Sequence, residues 1–468
     1  MVGLIIFLVF TQDTLYLSES KAYEMALSES PMVKAQKYSV LSSYYNKKSM
    51  ISSFLPQISL SGTYTRLSLT QTMRSFMLDS LVMTPSGAFV PVGHYVEIPF
   101  SQKDNYDLGL QVQQVLFTFG KLIFSYKSAD WNLKSEQLKD SITRGYMGIT
   151  IRELYTQALL AKAYYDLMMK IDSELHEVYL LTKKKYDSGT ATEIDYLQAK
   201  LAYMKQKNNI LQAENAYMQT ISLLKVMLNI PTSKEIVLTD SITPLELDID
   251  TLKPLMLDIK QFDYTLTSLK YQKKTLDRLT FPTIFSAFSY KYQKPFGMEN
   301  DWKDYWAVTL GFTWNIFDGF KSTSQAKSIN AKIKSLEVLK DMKIKQRDVD
   351  ILMKKKEVLS AEEALKVSME NAKLAETLYN SSKTQYEEGY MTYTDFSNVI
   401  INYHTSLIEK LKAIADLKIK QLELIKYMKG YILESASGQN TGFNMQSEQA
   451  NEGKKEFQGR NSMKKGGF

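Results

Sequence analysis

What most constrains this chain is an internal duplication. Tyr186, Gly189, Thr192, Asp195 and Tyr196 return as Tyr386, Gly389, Thr392, Asp395 and Phe396, two hundred positions later. The same shift lays Leu116 and Phe117 on Ile316 and Phe317, so the spacing between a strand-like segment and a glycine turn is the same in both halves. A third match sets Leu55, Pro56 and Ile58 through Tyr64 against Phe281, Pro282 and Ile284 through Tyr290, at a longer shift because the first half carries the longer loop. Each unit reads helix, strand, loop, strand, very long helix, turn, shorter helix.

The stretches Lys121 to Asp187 and Lys321 to Glu387 hold no proline and few glycines, and their apolar residues recur at spacings of three and four. A helix of that length is on the order of 100 Å long, more than a globular domain needs. Gly189 and Gly389 suit the left-handed residue that closes a helix. Thr192 with Asp195, and Thr392 with Asp395, have the spacing of a capping box that opens the next helix. Each turn is therefore predicted to be a helical hairpin tip. The returning helices carry seams, with Ile194, Leu197, Leu201 and Met204 in one half and Leu407, Leu411 and Ile414 in the other, and end near Asn229 and Gly430. They are half as long as the helices they fold against. Helices over Ser18 to Ser52 and Leu255 to Thr280 are expected to fill the remainder, end to end beside each long helix.

Between these helices lie segments that alternate. Ile58, Leu60, Gly62 and Tyr64 oppose Gln57, Ser59, Ser61, Thr63 and Thr65; Tyr106, Leu108, Leu110 and Val112 oppose Asp107, Gly109, Gln111 and Gln113. Trp306, Val308, Leu310, Phe312, Trp314 and Ile316 oppose Thr309, Gly311, Thr313 and Asn315, and Phe288, Tyr290 and Tyr292 share a face opposite Ser289, Lys291 and Gln293. Period alone fits a soluble sandwich as well as a membrane barrel. The aromatic strand ends and the polar second face favour the barrel. Four strands cannot close one, since membrane barrels start at about eight, so the protomer must oligomerise, and three copies give twelve strands. The loop from Leu67 to Lys103 is long and that from Pro295 to Lys303 short; both are expected to face the cell exterior.

Other functions find little support. There is no cysteine, which excludes a disulfide framework, a thiolate zinc site and a lipidated N-terminal cysteine. The net charge of +7 is mixed along helical stretches and reads as solvated faces, not a nucleic-acid-binding stripe. His94 falls in a loop, and His176 and His404 lie on separate helices, so no metal-ligand or triad spacing appears and no catalytic residue, cofactor or metal is predicted. The twenty-two methionines are scattered through seams as ordinary core filler. Val2 to Phe10 is an apolar run of signal-peptide length, although the basic residues and cleavage site of such a signal are not legible.

In its Leu55-Pro56 strand opening, its Phe119-Gly120-Lys121 and Asp318-Gly319-Phe320 joints and its two Gly-x-x-Thr-x-x-Asp tips, the chain resembles the TolC-type outer-membrane efflux proteins over about residues 18 to 432. The resemblance implies a mainly α protein with a membrane β-barrel portion: a homotrimer with a twelve-stranded outer-membrane barrel on a periplasmic α-helical tunnel closed at its entrance. It also implies a periplasmic adaptor and an inner-membrane transporter as partners. The family narrows the entrance with acidic side chains inside the second tip. Asp395 matches the first such position, and Asn398 stands at the second, which halves the charge. The family's tip link joins a tyrosine and an arginine of the second tip to an aspartate of the first; Tyr386 and Asp195 match, and Met391 replaces the arginine. On residues alone, Asp195 and Asp395 are helix caps and Tyr386 is helix packing.

The expected organisation is a signal-peptide remnant over 1–17, a first repeat over 18–230 with strands near 54–66 and 105–118 and a tip at 187–192, and an equatorial linker over 231–254. A second repeat over 255–432 follows, with strands near 281–293 and 304–318 and a tip at 387–392, then a disordered tail over 433–468. The functional expectation is passive exit through the outer membrane; the alternative is a periplasmic coiled-coil rod with a small soluble β cap.

Overall fold

The computed structural model describes residues 14–99, 101–247, 256–296 and 299–428. In chain order the elements are β1 (Leu15–Leu17), α1 (Glu19–Glu29), α2 (Pro31–Ser52), β2 (Gln57–Arg66), β3 (Thr72–Met83), β4 (Phe89–Pro99), β5 (Asp104–Phe117), α3 (Lys121–Asp187) and α4 (Glu193–Met227). They continue with β6 (Ile236–Leu238), α5 (Leu257–Asp277), β7 (Thr283–Lys294), β8 (Lys303–Thr313), α6 (Lys321–Glu388) and α7 (Tyr393–Met428).

One four-stranded antiparallel sheet runs in the order β2-β5-β7-β8. Its register aligns the alternation of every strand: Leu60 pairs with Leu110, Leu110 with Tyr290 and Tyr290 with Trp306, while Ser59, Gln111, Ser289 and Ala307 form the adjacent row. One face is thus apolar across the whole sheet, and it is bare, with Leu60 72% and Leu310 74% exposed. Both strand-to-helix joints carry two successive residues at positive φ, Phe119 (52°) with Gly120 (90°) and Gly319 (66°) with Phe320 (63°). That conformation costs a non-glycine residue about 1 kcal/mol or more and turns the chain sharply from sheet into helix.

The long helices have 67 and 68 residues. α4 covers the tip half of α3, and α2 and α5 cover the sheet half, as α7 and α5 do for α6. The α3–α5 contact is close because its residues are small and bond reciprocally: Ser128 Oγ donates to Ser268 O (3.0 Å) and Ser268 Oγ to Ser128 O (2.8 Å), while Ser135 and Thr265 share a hydrogen bond of 2.8 Å. Midway along α3, Leu17, Ala22, Ile151, Tyr155, Leu224 and Leu228 form an apolar core. Tyr155 Oη donates to Leu17 O (2.8 Å), and the buried Lys418 ammonium on α7 donates to Glu19 Oε2 (2.6 Å).

Several sequence expectations need correction. Residues 15–17 do not belong to a remnant: β1 pairs in parallel with β6, and Leu17 is fully buried. The 231–254 linker contributes β6 to that same core. The apolar run Val2 to Phe10, linker residues 248–254 and the 433–468 tail lie outside the described residues. The helix over Ser18 to Ser52 is two helices, because Pro31 lacks an N–H to continue α1 and holds Ser30 extended (φ −56°, ψ 130°), yet fits the first turn of α2. The last strand stops at Thr313, short of 318. The loop from Leu67 to Lys103 is a β-hairpin, β3 with β4.

Gly148 gives a local test. A Cβ built there would stand 2.3 Å from Tyr23 Cε2, so α1 approaches α3 through the missing side chain. Gly148→Ala is expected to cost about 1–3 kcal/mol of stability through overpacking, read as a lower urea midpoint of the helical circular dichroism signal.

Candidate functional site at the hairpin tips

At the first tip the chain leaves α3 through Gly189 at φ +75°, with Thr190 N donating to Lys185 O (2.8 Å); at the second it leaves α6 through Gly389 at φ +88°, with Tyr390 N donating to Gln385 O (2.8 Å). Nothing lies within 4 Å of a Cβ at either glycine, so the positive φ alone demands them. Thr192 Oγ1 accepts from Asp195 N (3.1 Å) and Asp195 Oδ2 accepts from Thr192 N (3.1 Å), a complete capping box. At the second tip Thr392 Oγ1 donates to Asp395 Oδ2 (2.7 Å) and accepts from Asp395 N (3.2 Å). Both aspartates are engaged in capping.

The two tips are joined by apolar packing. Tyr379, Tyr386, Tyr393, Phe396, Ile400 and Tyr403 of α6 and α7 form a core with Val178 of α3 and Ala199 of α4. The rings stack, Tyr386 on Phe396 at 4.9 Å and Tyr379 on Tyr403 at 4.7 Å between centroids. Tyr386 is 3% exposed, and its hydroxyl lies 2.7 Å from Thr182 Oγ1. Since Thr182 Oγ1 already donates to Val178 O (2.8 Å), Tyr386 is the donor. Lys185 at the end of α3 donates to the Tyr386 carbonyl and sits 4.8 Å from its ring centre. Farther from the tip, His404 Nε2 on α7 lies 2.9 Å from Glu174 Oε2 on α3.

Burial pushes these phenols up. Tyr379 and Tyr393 are raised to about 12, with nearby carboxylates and neighbouring phenols adding to burial, and Tyr386 is raised by burial. The negative charge of Asp195 adds to the rise at Tyr386 and Tyr393.

The structure brings Tyr386 and Met391 into the second-tip core and leaves Asp395 and Asn398, one helical turn apart, exposed on α7. Within the protomer Tyr386 bonds Thr182 and Asp195 bonds Thr192, so these two are not bonded to each other. Thr182, Lys185 and the His404–Glu174 contact were not legible as tip contacts; the signal that points to the aromatic part is the same two-hundred-residue shift, which pairs Tyr179 with Tyr379 and Tyr203 with Tyr403. Among the described residues there is no group of three or more His, Asp or Glu that could hold a metal ion, and no helix is long and apolar enough to cross a membrane.

Thr182→Val would leave the buried Tyr386 hydroxyl without its acceptor and is expected to cost about 1–3 kcal/mol. Tyr386→Phe leaves Thr182 still bonded to Val178, so the double variant should be more stable than the sum of the singles by about 1 kcal/mol. Urea unfolding of the four proteins in one detergent reads this coupling.

Comparison with known proteins fits this geometry. A family model described as outer membrane efflux protein matches residues 22–229. No curated protein sequence matches the chain. Solved structures of the same fold include the CmeC outer membrane channel of Campylobacter jejuni, at 14% identity and a TM-score of 0.72 over 89% of this chain and 87% of that one. The outer membrane protein VceC of Vibrio cholerae aligns at 14% identity and 0.70 over 88% and 95%, and the open-state MtrE outer membrane channel of Neisseria gonorrhoeae at 13% and 0.68 over 88% and 89%. The family match lies on the first repeat and the fold match runs through both. The first repeat of the chain thus matches the outer membrane efflux protein family model, and across both repeats the chain has the fold of these outer-membrane channels.

Proposed function

We propose that three copies of this chain close a twelve-stranded barrel on a helical tunnel, and that the tunnel gives passive exit to substrates delivered by an inner-membrane transporter through a periplasmic adaptor. The observation that carries this reading is the pair of unpartnered surfaces on each protomer. Among the described residues, the outer edges of β2 and β8 have no partner strand. On α4, Leu197, Met204, Leu211 and Met218 recur every seven residues, with Ile194 and Leu201 interleaved, and all are more than half exposed. That is a coiled-coil seam in need of a facing helix. Open strand edges and an open seam on the same protomer are both satisfied by adjacent copies around one axis.

The inner face of the second tip narrows the entrance. It carries one carboxylate per protomer, Asp395, with Asn398 one turn further on. Opening separates the tips by breaking the Tyr386–Thr182 and Lys185–Tyr386 contacts, while Gly189 and Gly389 keep their turns.

Membrane fractionation and mass measurement of the detergent-extracted complex test the assembly. A trimer from the outer-membrane fraction is expected; a monomer or dimer would return the chain to the rod reading. Asn398→Asp doubles the ring charge and is expected to tighten block of the reconstituted channel by a trivalent cation about fivefold, as an added charge ring contributes roughly 1 kcal/mol under water-like screening. Asp395→Ala should weaken the block in the same bilayer recording, and equal block in all three proteins would remove these residues from the entrance.

A further inference from the structure

The hairpin formed by β3 and β4 is not accounted for by passive exit. It continues the barrel strands outward: β2 pairs with β5 as far as Arg66 and Asp104, Leu67 N donates to Lys103 O (2.8 Å), and Gln71 N donates to Ser101 Oγ (2.7 Å). From Thr72 opposite Pro99 to Met83 opposite Phe89 the ribbon then runs on, bulged at Asp79, to a turn closed by Thr84 N on Ala88 O (2.8 Å). Its extensive packing is internal to the pair. Twelve residues make it about 40 Å long.

Such a ribbon is marginal alone, and this one is apolar on both faces. Met77, Val82, Val90 and Val92 line one face, and Phe76, Tyr95, Met83 and Phe89 the other, with Phe89 64% and Tyr95 71% exposed. Between Ser80 and Val96 there is no Asp, Glu, Lys or Arg. The flanking charges are paired within the ribbon, Arg74 with Glu97 at 3.1 Å and Asp79 with His94 at 2.9 Å. Natural sequences blunt free edges with charge or proline. Here Pro91 interrupts β4, whereas β3, which extends the barrel-edge strand β2 toward the adjacent copy, has no proline.

We propose that the ribbons of the three protomers pack on one another above the barrel and form an apolar cap over its outer mouth. The inference rests on the trimeric reading. Twelve strands about 4.8 Å apart and tilted about 40° give a barrel radius of about 12 Å, so a ribbon about 40 Å long rooted on the rim reaches the axis with length to spare. Ribbons rooted about 20 Å apart meet at the millimolar effective concentrations of tethered partners, which favours one another over a third party. A ribbon meant for the lipid surface would carry the cations of interfacial segments, and this tip has none. The cap makes the outer mouth a second point of control, opened by cargo arriving from inside.

Because the chain has no cysteine, Val82→Cys, at a half-exposed position, gives a single thiol per protomer. A short bis-maleimide applied to the outer-membrane preparation is expected to produce covalent dimers from particles of trimeric mass. Deletion of 72–99 should preserve that mass and raise single-channel conductance. Trimers without covalent dimers overturn the cap, and a bimane attached to the introduced thiol then says where the ribbon lies: quenching by nitroxide lipid places it on the membrane, quenching by iodide in water. Particles that are not trimers overturn the proposed assembly, and the cap with it. Unchanged conductance after deletion also overturns the cap.

Discussion

Backbone hydrogen bonding at the edges of the β2-β5-β7-β8 sheet governs the rest of the molecule. In hydrocarbon each unpaired N–H or C=O costs several kcal/mol, with no water to take the place of a partner. A sheet with its apolar face bare across all four strands needs an apolar cover on that face and, in lipid, a partner strand at each edge. The helices inherit this geometry through the two sharp joints, since Phe119-Gly120 and Gly319-Phe320 fix the direction in which α3 and α6 leave the sheet. Helices of that length expose a stripe along their whole run, and the end-to-end arrangement of α2, α5, α4 and α7 covers it with shorter pieces that the sequence can encode separately.

Duplication produced two units of one pattern in unequal surroundings. Tyr379, Tyr386, Phe396 and Tyr403 are buried between the hairpins, whereas Tyr179, Tyr186, Tyr196 and Tyr203 stack on one another along the α3–α4 hairpin and remain partly exposed, with Tyr186 38% accessible against 3% for Tyr386. The two ladders have the same spacing, and within one protomer only the second has a facing hairpin. In the proposed ring of alternating repeats, the next copy is what would cover the first ladder. The exposed α4 seam beside it has the same explanation.

Much of this was legible because it rests on short-range chemistry. Gly189 and Gly389 announce the tips through the φ only glycine takes up freely, and the Thr-x-x-Asp spacing announces the caps. Strand alternation was legible too, as Ile58, Leu60 and Tyr64 share a face by parity alone. What was not legible depends on partners distant in sequence. Leu17 sits at the end of an apolar start and gives no local sign that it will pair beside Leu238 and accept from Tyr155. The Leu67 to Lys103 segment has prolines and two glycines at intervals that break a simple period, and the bulge at Asp79 shifts its parity midway, so its pairing is visible only in register. Thr182 carries no motif; its role exists because Tyr386 arrives from two hundred residues away.

The tip contact also explains why Met391 is tolerated where the resemblance implies an arginine. Asp195 makes both of its bonds to Thr192 through Oδ2, and this chain has no arginine at the second tip to meet its other oxygen. Met391 instead adds its side chain to the apolar core of Tyr386, Tyr393 and Phe396. With Tyr379 and Tyr393 raised to about 12, the phenols stay neutral through the physiological range, so this core is held by packing and by hydrogen bonds between uncharged groups. Lys185 supplies a cation, and it donates to a carbonyl. Such a contact is little screened by salt, whereas an exposed ion pair would weaken as ionic strength rises. Burial of the phenolate form gives the sign of its pH dependence: the folded-state pKa values lie above the ordinary value of about 10, so full stability holds below about pH 10 and is lost as pH climbs through about 12. A tip core held in this way is little affected by salt, or by pH below about 10.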